Sequence, residues 1–201
     1  VEPDKPFDQR QMFEHLLNRI ERAVKYLSGE VIKNNRDHLA RYGRNVNELA
    51  EILKFPFLRI TYSDAITLLQ QNGYPLLKWG DDLKAEHEQM VVALVNKLSR
   101  ESYHGLSNLG DRPVFIMRYP KAIKFFNMGE SEGNPLEVES ADLVLPISGE
   151  AAGSSFREPN PERLKQRLLE SNMFRIHQES GGTYDDFTWY VEEVVGSGKI
   201  Q

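Results

Sequence analysis

The chain contains no cysteine, which excludes disulfides and thiolate metal sites and says nothing about the redox compartment. No apolar run approaches a length of about 18 residues, which a membrane-spanning helix needs. Positive charge is not in excess, because 25 Lys and Arg face 30 Asp and Glu. The net charge of −5 argues against nucleic acid as the main partner, although it leaves room for a local contact with RNA. Internal repeats and low-complexity segments are also missing.

What is present is the composition of an ordinary globular protein, with 40% hydrophobic and 27% charged residues. A length of 201 residues allows one substantial core, or one domain with an appendage. The sequence begins at Val1 without an initiator methionine or a signal-peptide pattern, so we expect a fragment of a longer chain.

The first quarter of the chain, residues 1–54, is predicted to be a helical segment that leads into the main domain, residues 55–201. Asp8 is a plausible N-cap for a first helix that we expect to end at Ser28–Gly29. A second helical stretch is expected from about Arg36 to Lys54, with a break near Gly43.

The remainder alternates between strand and helix patterns. Strands are predicted at Leu58–Tyr62, Pro113–Pro120 and Ile123–Met128, whereas Gly129–Glu139 is predicted to be an exposed loop. Further helices are expected over residues 64–71, about 84–100, 161–170 and 184–195. Helices that flank a largely antiparallel sheet define an α+β fold.

The most informative stretch is Asp142–Glu158, which is predicted to be two strands joined by a tight turn. Asp142, Glu150 and Arg157 are charged residues spaced along these strands. Charged side chains inside a sheet are usually paired, bound to a metal or in contact with a ligand. From these residues alone, a surface hairpin with an ordinary Arg–carboxylate pair explains the pattern equally well.

Strand parity sets a condition on any shared site. Asp142 and Glu150 face the same side if the turn has an odd number of residues, such as a loop from Leu145 to Gly149. Arg157 lies at an odd offset from Glu150 and would then face the other side. A β-bulge at residues 153–155 (Gly-Ser-Ser) would bring the three together, and we therefore predict a break in the ladder there.

Five segments, in order between Phe55 and Gly198, resemble the catalytic domain of asparaginyl-tRNA synthetases. They are Ile60–Ile66, Trp79–Glu88, Pro113–Phe126, Asp142–Glu158 and Asp185–Tyr190. A weaker helical match precedes them. The resemblance implies a class II synthetase fold that is incomplete here, because the anticodon-binding domain and motifs 1, 2 and 3 have no counterpart in the chain. We therefore expect the 201 residues alone to be unable to form an adenylate.

The resemblance also implies an activity. Such enzymes join asparagine to ATP, which gives asparaginyl-adenylate, and then transfer the acyl group to tRNA. Asp142 and Glu150 match the acidic residues that bind ATP through Mg²⁺, a cation that usually takes only one or two protein carboxylates. Arg157 matches the arginine that reads the amino-acid side chain, so Arg157 and Glu150 are the expected catalytic residues.

Three further positions match the substrate pocket. Lys124 corresponds to a basic residue of the amino-acid site, and Gly153 and Ser154 to its floor, where backbone approaches the substrate. Two of the matched residues depart from the usual pattern, since Asn127 replaces a tyrosine and Ser154 a glycine. A paralogue therefore stays open as an alternative, either an amide-forming or aspartate-specific adenylating enzyme or a catalytically silent binding module.

The expected partners follow from the same resemblance. They are asparagine, ATP and tRNA, the last mostly through parts outside this chain, and a second copy of the full-length protein in a homodimer. No membrane partner is expected. The expected location is the cytoplasm, with an organelle left open.

Overall fold

The computed structural model describes residues 8–196. Three helices come first, α1 (Gln9–Asn34), α2 (Arg36–Arg41) and α3 (Val46–Ile52). Asp8 caps α1 as predicted, since its carboxylate accepts a hydrogen bond from the Gln11 amide at 3.0 Å. The predicted end of α1 at Ser28–Gly29 is wrong, because the helix continues to bury Ile32. The predicted break near Gly43 is confirmed: Gly43 has a φ of 72° between α2 and α3.

Four strands form the main sheet, β1 (Leu58–Thr61), β2 (Val114–Met117), β5 (Ser140–Leu145) and β6 (Gly149–Ser155), in the order β1-β2-β5-β6. Only β1 and β2 run parallel, and the other neighbours are antiparallel. The parallel pair is linked through helices α4 (Tyr62–Gln71) and α5 (Ala85–Ser102). The predicted α+β fold with a largely antiparallel sheet is confirmed.

Both faces of the sheet are covered. On one face, α4 and α5 pack Leu69 and Val91 against Ile116 and Val144. On the other, α1 packs Phe13 and Leu17 against Phe115 and Leu143. Asp142 has the same strand parity as Val144, so the predicted site lies on the face covered by α5.

A third apolar cluster lies beyond β6. It is built from α6 (Pro161–Glu170), α7 (Asn172–Glu179), a 3₁₀ turn (Tyr184–Phe187) and a π-helix (Trp189–Val195). Helix α6 has the predicted bounds, whereas α7 was not predicted. Its eight residues are too few for the helical pattern to be separated from the loops around it.

Two predictions between β2 and β5 are wrong. Ile123–Met128 is not a strand: a 3₁₀ turn (Lys121–Ile123) is followed by irregular chain, and Phe126 leaves to join the third cluster. Gly129–Glu139 is not an exposed loop, because it contains a hairpin of β3 (Glu130–Ser131) and β4 (Asn134–Val138), with Val138 fully buried. Between residues 8 and 196, no helix is long and apolar enough to cross a membrane.

The candidate active site on the β5–β6 hairpin

The register of the β5–β6 pair contains one irregularity. Asp142 is opposite Gly153 and Leu143 is opposite Ala152, but the next residue, Val144, is opposite Glu150. Ala151 is therefore the extra residue of a β-bulge. The break predicted at residues 153–155 is wrong, since the pairing runs without a shift from Gly153 to the end of β6.

The observed bulge nevertheless brings Asp142, Glu150 and Arg157 to the same side of the sheet, which is what the predicted bulge had to do. Residues opposite each other point to the same face, so Asp142, Glu150 and Gly153 share the α5 side of the sheet. Beyond β6 the chain stays paired, because the Phe156 amide donates to the Glu139 carbonyl and Met128 bridges Arg157. The alternation then places Arg157, four residues after Gly153, on the same side.

Gly153 is the point at which the two carboxylates converge. A Cβ atom at this position would lie 3.1 Å from Glu150 Oε1 and 3.4 Å from Asp142 Oδ1. The first of these distances is tighter than an ordinary van der Waals contact, so the absence of a side chain leaves the room that both carboxylates use. Asp142 is itself buried at 8% exposure.

Lys124 neutralises one end of this acidic pair. Its Nζ donates to Asp142 Oδ2 at 2.7 Å and lies 3.9 Å from the centre of the Tyr119 ring. The resemblance implied a place for Lys124 in the site, and the irregular chain after the 3₁₀ turn lets its side chain reach Asp142. The contact occupies Oδ2, while Oδ1 faces Gly153.

Glu88, in the first turn of α5, is a third carboxylate beside the pair. Burial raises the pKa of Glu88, and the charges of Glu150 and Asp142 raise it further, while Lys124 lowers it. The resemblance to synthetases included Glu88 in a matched segment but implied no role for it. Only the packing of α5 over the sheet brings it near residues more than 50 positions away.

Tyr119 forms an apolar and protonated wall of the site. The residue is 2% exposed, and burial together with the nearby carboxylate of Asp142 raises the pKa of its hydroxyl. The ring therefore stays neutral near neutral pH. In this state it supports Lys124 by a cation–π contact without adding negative charge to the acidic pair.

Arg157 is held at the edge of the site by an amide. Its Nη1 donates to Asn127 Oδ1 at 2.8 Å, and Asn127 Nδ2 donates to the Tyr190 hydroxyl at 3.4 Å. Arg157 is exposed, so much of its donor fork remains available. Arg157 thus lies on the same side of the sheet as the acidic pair and is hydrogen-bonded to Asn127.

The side chain of Ser154 lies on the other face of the sheet from the acidic pair. It is opposite Ala141 on the face that packs against α1, and its hydroxyl donates to the Ala141 carbonyl at 3.0 Å. The departure from glycine at this position therefore places a side chain away from the acidic pair. Of the predicted residues, Asp142, Glu150, Gly153 and Lys124 come together at the site, whereas the Ser154 side chain does not.

The acidic pair fits a magnesium ion better than a metal that needs a full protein cage. Within residues 8–196, no group of three or more His, Cys, Asp or Glu side chains is arranged to hold a metal. Two convergent carboxylates, with other positions left to water and phosphate, are the donor set that Mg²⁺ takes in nucleotide sites.

Fold and site together define a class II synthetase domain, and residues 9–197 match the family described as tRNA synthetases class II (D, K and N). The chain belongs to this family. An asparagine–tRNA ligase of Lactobacillus johnsonii is 35% identical over 173 residues, covering 86% of this chain and 34% of that protein. A probable mitochondrial asparagine–tRNA ligase of Dictyostelium discoideum is 29% identical over 186 residues, with 88% of this chain and 35% of the relative covered.

Solved structures agree with these relatives. The asparaginyl-tRNA synthetase of Pyrococcus horikoshii, complexed with asparaginyl-adenylate, superposes with a TM-score of 0.71 at 28% identity. The superposition covers 91% of this chain and 36% of that one. The chain therefore spans about a third of the length of the relatives it matches, from the L. johnsonii protein to the P. horikoshii structure.

Proposed function

We propose that this chain is the part of an asparagine–tRNA ligase that holds the ATP phosphates and the asparagine side chain. The convergence of Asp142 and Glu150 over Gly153, next to Lys124, is the observation that carries the proposal. The similarity to asparagine–tRNA ligases supports asparagine as the substrate. The full reaction joins asparagine to ATP, releases pyrophosphate and transfers the asparaginyl group to tRNA.

Each residue of the site has a distinct task in this reaction. Asp142 and Glu150 would hold Mg²⁺, which when bound neutralises phosphate charge. Lys124 fixes the Asp142 carboxylate so that one oxygen stays directed toward Gly153. Gly153, which has no side chain, leaves the floor of the substrate pocket open. With the reactants fixed in this way, catalysis depends mainly on positioning and charge rather than on covalent chemistry by the protein.

Arg157 would read the substrate side chain. A guanidinium is a planar fork of N–H donors, which suits the carbonyl oxygen of a carboxamide. Asn127 accepts from Nη1 and so orients the fork, while the other donors remain free for the substrate. The proposal also includes tRNA as the acceptor and a homodimer of the full-length protein. Its location would be the cytoplasm or an organelle. The mitochondrial relative is the reason to keep the organelle.

Pyrophosphate exchange by the full-length protein tests this function. We expect exchange that depends on asparagine and is lost in an Arg157→Ala variant, whereas Arg175→Ala, which removes a surface arginine paired with Glu179, keeps it. The isolated 201-residue chain should show no exchange. Exchange driven by aspartate instead would favour the aspartate-specific alternative. No exchange with either amino acid would favour a silent binding module.

A further inference from the structure

Arg118 has a backbone conformation that is unusual for its side chain. Its φ is 58°, and in the part of the chain that the structure describes every other residue with a positive φ is a glycine. This left-handed region is costly for a residue with a Cβ atom, and arginine lacks the short polar side chain that makes it acceptable to asparagine or aspartate. Such strain persists only where the surroundings hold it, and it is concentrated at functional sites. We therefore looked for a task of this conformation and for the contact that holds it.

The conformation of Arg118 changes the face of the sheet on which the next residue lies. Phe115 and Met117 pack on the face covered by α1. Because side chains alternate along a strand, residue 119 would continue this series on the same face. Tyr119 instead belongs to the cluster on the α5 face, where its ring centre lies 3.9 Å from Lys124 Nζ. The left-handed residue between Met117 and Tyr119 thus reverses the alternation and directs the tyrosine into the site.

The opposite side of the ladder accommodates this reversal with one extra residue. The Arg118 amide donates to the Ser140 carbonyl at 2.8 Å, and the Val138 amide donates to the Tyr119 carbonyl at 3.0 Å. Glu139 lies between these two partners and is skipped, as in a β-bulge. The strained residue and the extra residue are therefore neighbours across the ladder.

A buried ion pair connects these two neighbours. Arg118 Nε lies 3.5 Å from Glu139 Oε2, and the two side chains are 26% and 2% exposed. Neither atom has a hydrogen-bond partner among residues 8–196, so the ion pair is the contact that compensates their burial. Breaking a buried pair is strongly unfavourable, because it leaves one charge without its partner. The pair therefore opposes the release of Arg118 from its left-handed conformation.

The main chain of Glu139 is held from two other directions. Its amide donates to the Gly129 carbonyl at 2.9 Å, and its carbonyl accepts from the Phe156 amide at 2.8 Å. These bonds involve neither Arg118 nor Tyr119. Glu139 is thus a fixed point from which its carboxylate can hold the strained arginine.

We propose that Arg118 and Glu139 are positioning residues of the candidate active site. Glu139 holds Arg118 in the left-handed conformation, and this conformation directs Tyr119 to the α5 face. The Tyr119 ring then supports Lys124 beside Asp142. The catalytic consequence rests on the proposed function, whereas the placement of Tyr119 and Lys124 can be measured without catalysis.

The side-chain signals of Lys124 in a proton–carbon NMR spectrum of the chain report this placement. Protons next to an Nζ atom that lies over an aromatic ring are shifted upfield by the ring, unlike those of an exposed lysine such as Lys97. A Lys124→Arg variant assigns the signals. In Glu139→Leu, which removes the counter-charge, we expect the upfield shift to be lost because Arg118 can then relax.

Glycine at position 118 distinguishes positioning from a purely structural ion pair. Glycine adopts the left-handed conformation without strain and needs no anchor, so adding Arg118→Gly to Glu139→Leu should restore the upfield shift. Arg118→Gly alone should keep the shift, and Arg118→Ala should lose it. Asp111→Ala breaks another partly exposed ion pair, Arg100–Asp111 at 2.7 Å, and should leave the shift unchanged.

The outcomes that overturn the proposal are equally specific. They are an upfield shift that survives in Glu139→Leu or in Arg118→Ala, a loss that Arg118→Gly does not restore, and an equal loss in Asp111→Ala. If Glu139→Leu does not fold, the comparison of Arg118→Ala with Arg118→Gly decides alone. Loss in the alanine variant only supports the proposal, and equal signals in both variants overturn it.

The full-length enzyme gives the catalytic consequence. We expect Glu139→Leu to lower kcat for asparagine-dependent pyrophosphate exchange about tenfold, because Lys124 and Asp142 are displaced, and Arg118→Gly should recover it. The KM for asparagine should change little, since Arg157 is untouched. Exchange by the wild type with kcat unaltered in Glu139→Leu would overturn the positioning role. Absence of exchange in the wild type would contradict the proposed function and leave the NMR result intact.

Discussion

Asp142 and Gly153 lie directly opposite each other across β5 and β6, and the missing side chain of Gly153 is what allows the Asp142 and Glu150 carboxylates to converge. The relationship depends on the bulge at Ala151. Without the extra residue, Glu150 and Gly153 would have opposite parity, and the acidic pair would be divided between the two faces of the sheet.

Replacing Gly153 by alanine should therefore damage the site more than the fold. The added methyl group would lie 3.1 Å from Glu150 Oε1 and displace that carboxylate. In the full-length enzyme we expect asparagine-dependent pyrophosphate exchange to fall about tenfold or more, because small displacements of a positioned group have effects of this size or larger. Thermal unfolding should shift little.

Gly29→Ala is the matched control. Gly29 lies inside α1, and no atom comes within 4 Å of the place that the added methyl group would take, so the same chemical change should leave exchange intact. It should also stabilise the chain by about 0.5–1 kcal/mol, since alanine is the better helix former. Equal exchange activity in the two variants would contradict the role given to Gly153.

The Lys124–Asp142 pair should couple strongly. Both side chains are largely buried, at 19% and 11% exposure, so Lys124→Met leaves the Asp142 carboxylate buried next to Glu150 and Glu88 without its counter-charge. We expect a loss of about 2 kcal/mol in the free energy of unfolding, below the range for a fully buried pair. Asp142→Asn in the same chain should recover part of it.

Urea unfolding of both single variants and the double variant gives the coupling energy, which we expect to be about 1–2 kcal/mol. The exposed pair Lys33–Glu30, at 3.7 Å, serves as the reference and should couple by less than about 0.5 kcal/mol. A Lys124–Asp142 coupling as small as that of the reference would show that the contact does not fix the site.

Strand parity in the sequence predicts part of this site. A bulge is required if Asp142, Glu150 and Arg157 share one side of the sheet and the turn has an odd number of residues. Their pattern could not locate it, because Ala151 and the residues 153–155 all tolerate one. The turn sets the position of the bulge. Gly149, with a φ of 80°, pairs with Leu145. An extra residue before Ala152 is then needed to bring Gly153 opposite Asp142.

Other features depend on contacts that local sequence does not encode. Glu88 enters the site because α5 packs across the sheet, and Phe126 leaves a strand-like segment because the third cluster buries it. The β3–β4 hairpin was missed since its Gly-, Pro- and Glu-rich sequence is typical of loops, although Val138 is buried. Trp189 is 58% exposed, whereas its neighbour Tyr190 packs inward against the third cluster.

Glu88 should give the chain a recognisable pH dependence. Its pKa is raised in the folded state, so the folded chain binds more protons than the unfolded chain between the two pKa values. Stability therefore falls as pH rises from the unfolded value of about 4.3 through the folded one. Glu88→Gln should be more stable than wild type at pH 7, and the difference should vanish below about pH 4.

Thermal unfolding of both proteins from pH 3 to 8 measures this difference. Glu86→Gln is the control, because Glu86 is exposed in the same helical turn and should change the profile little. A Glu88→Gln variant that is less stable than wild type at pH 7 would mean that the carboxylate makes a compensating contact.

Asn127 should set the orientation of Arg157 and hence the affinity for the amino acid. Asn127→Ala removes the acceptor of Nη1, which frees the guanidinium to rotate. In the full-length enzyme we expect the KM for asparagine to rise about tenfold, the scale of one charge-assisted hydrogen bond, with kcat and the melting temperature nearly unchanged. Tyr190→Phe, which removes only the longer 3.4 Å contact to Asn127, should raise KM by a smaller factor. A fall in kcat at constant KM would instead assign Asn127 to the transition state, and no effect on either constant would show that Arg157 is oriented by other groups.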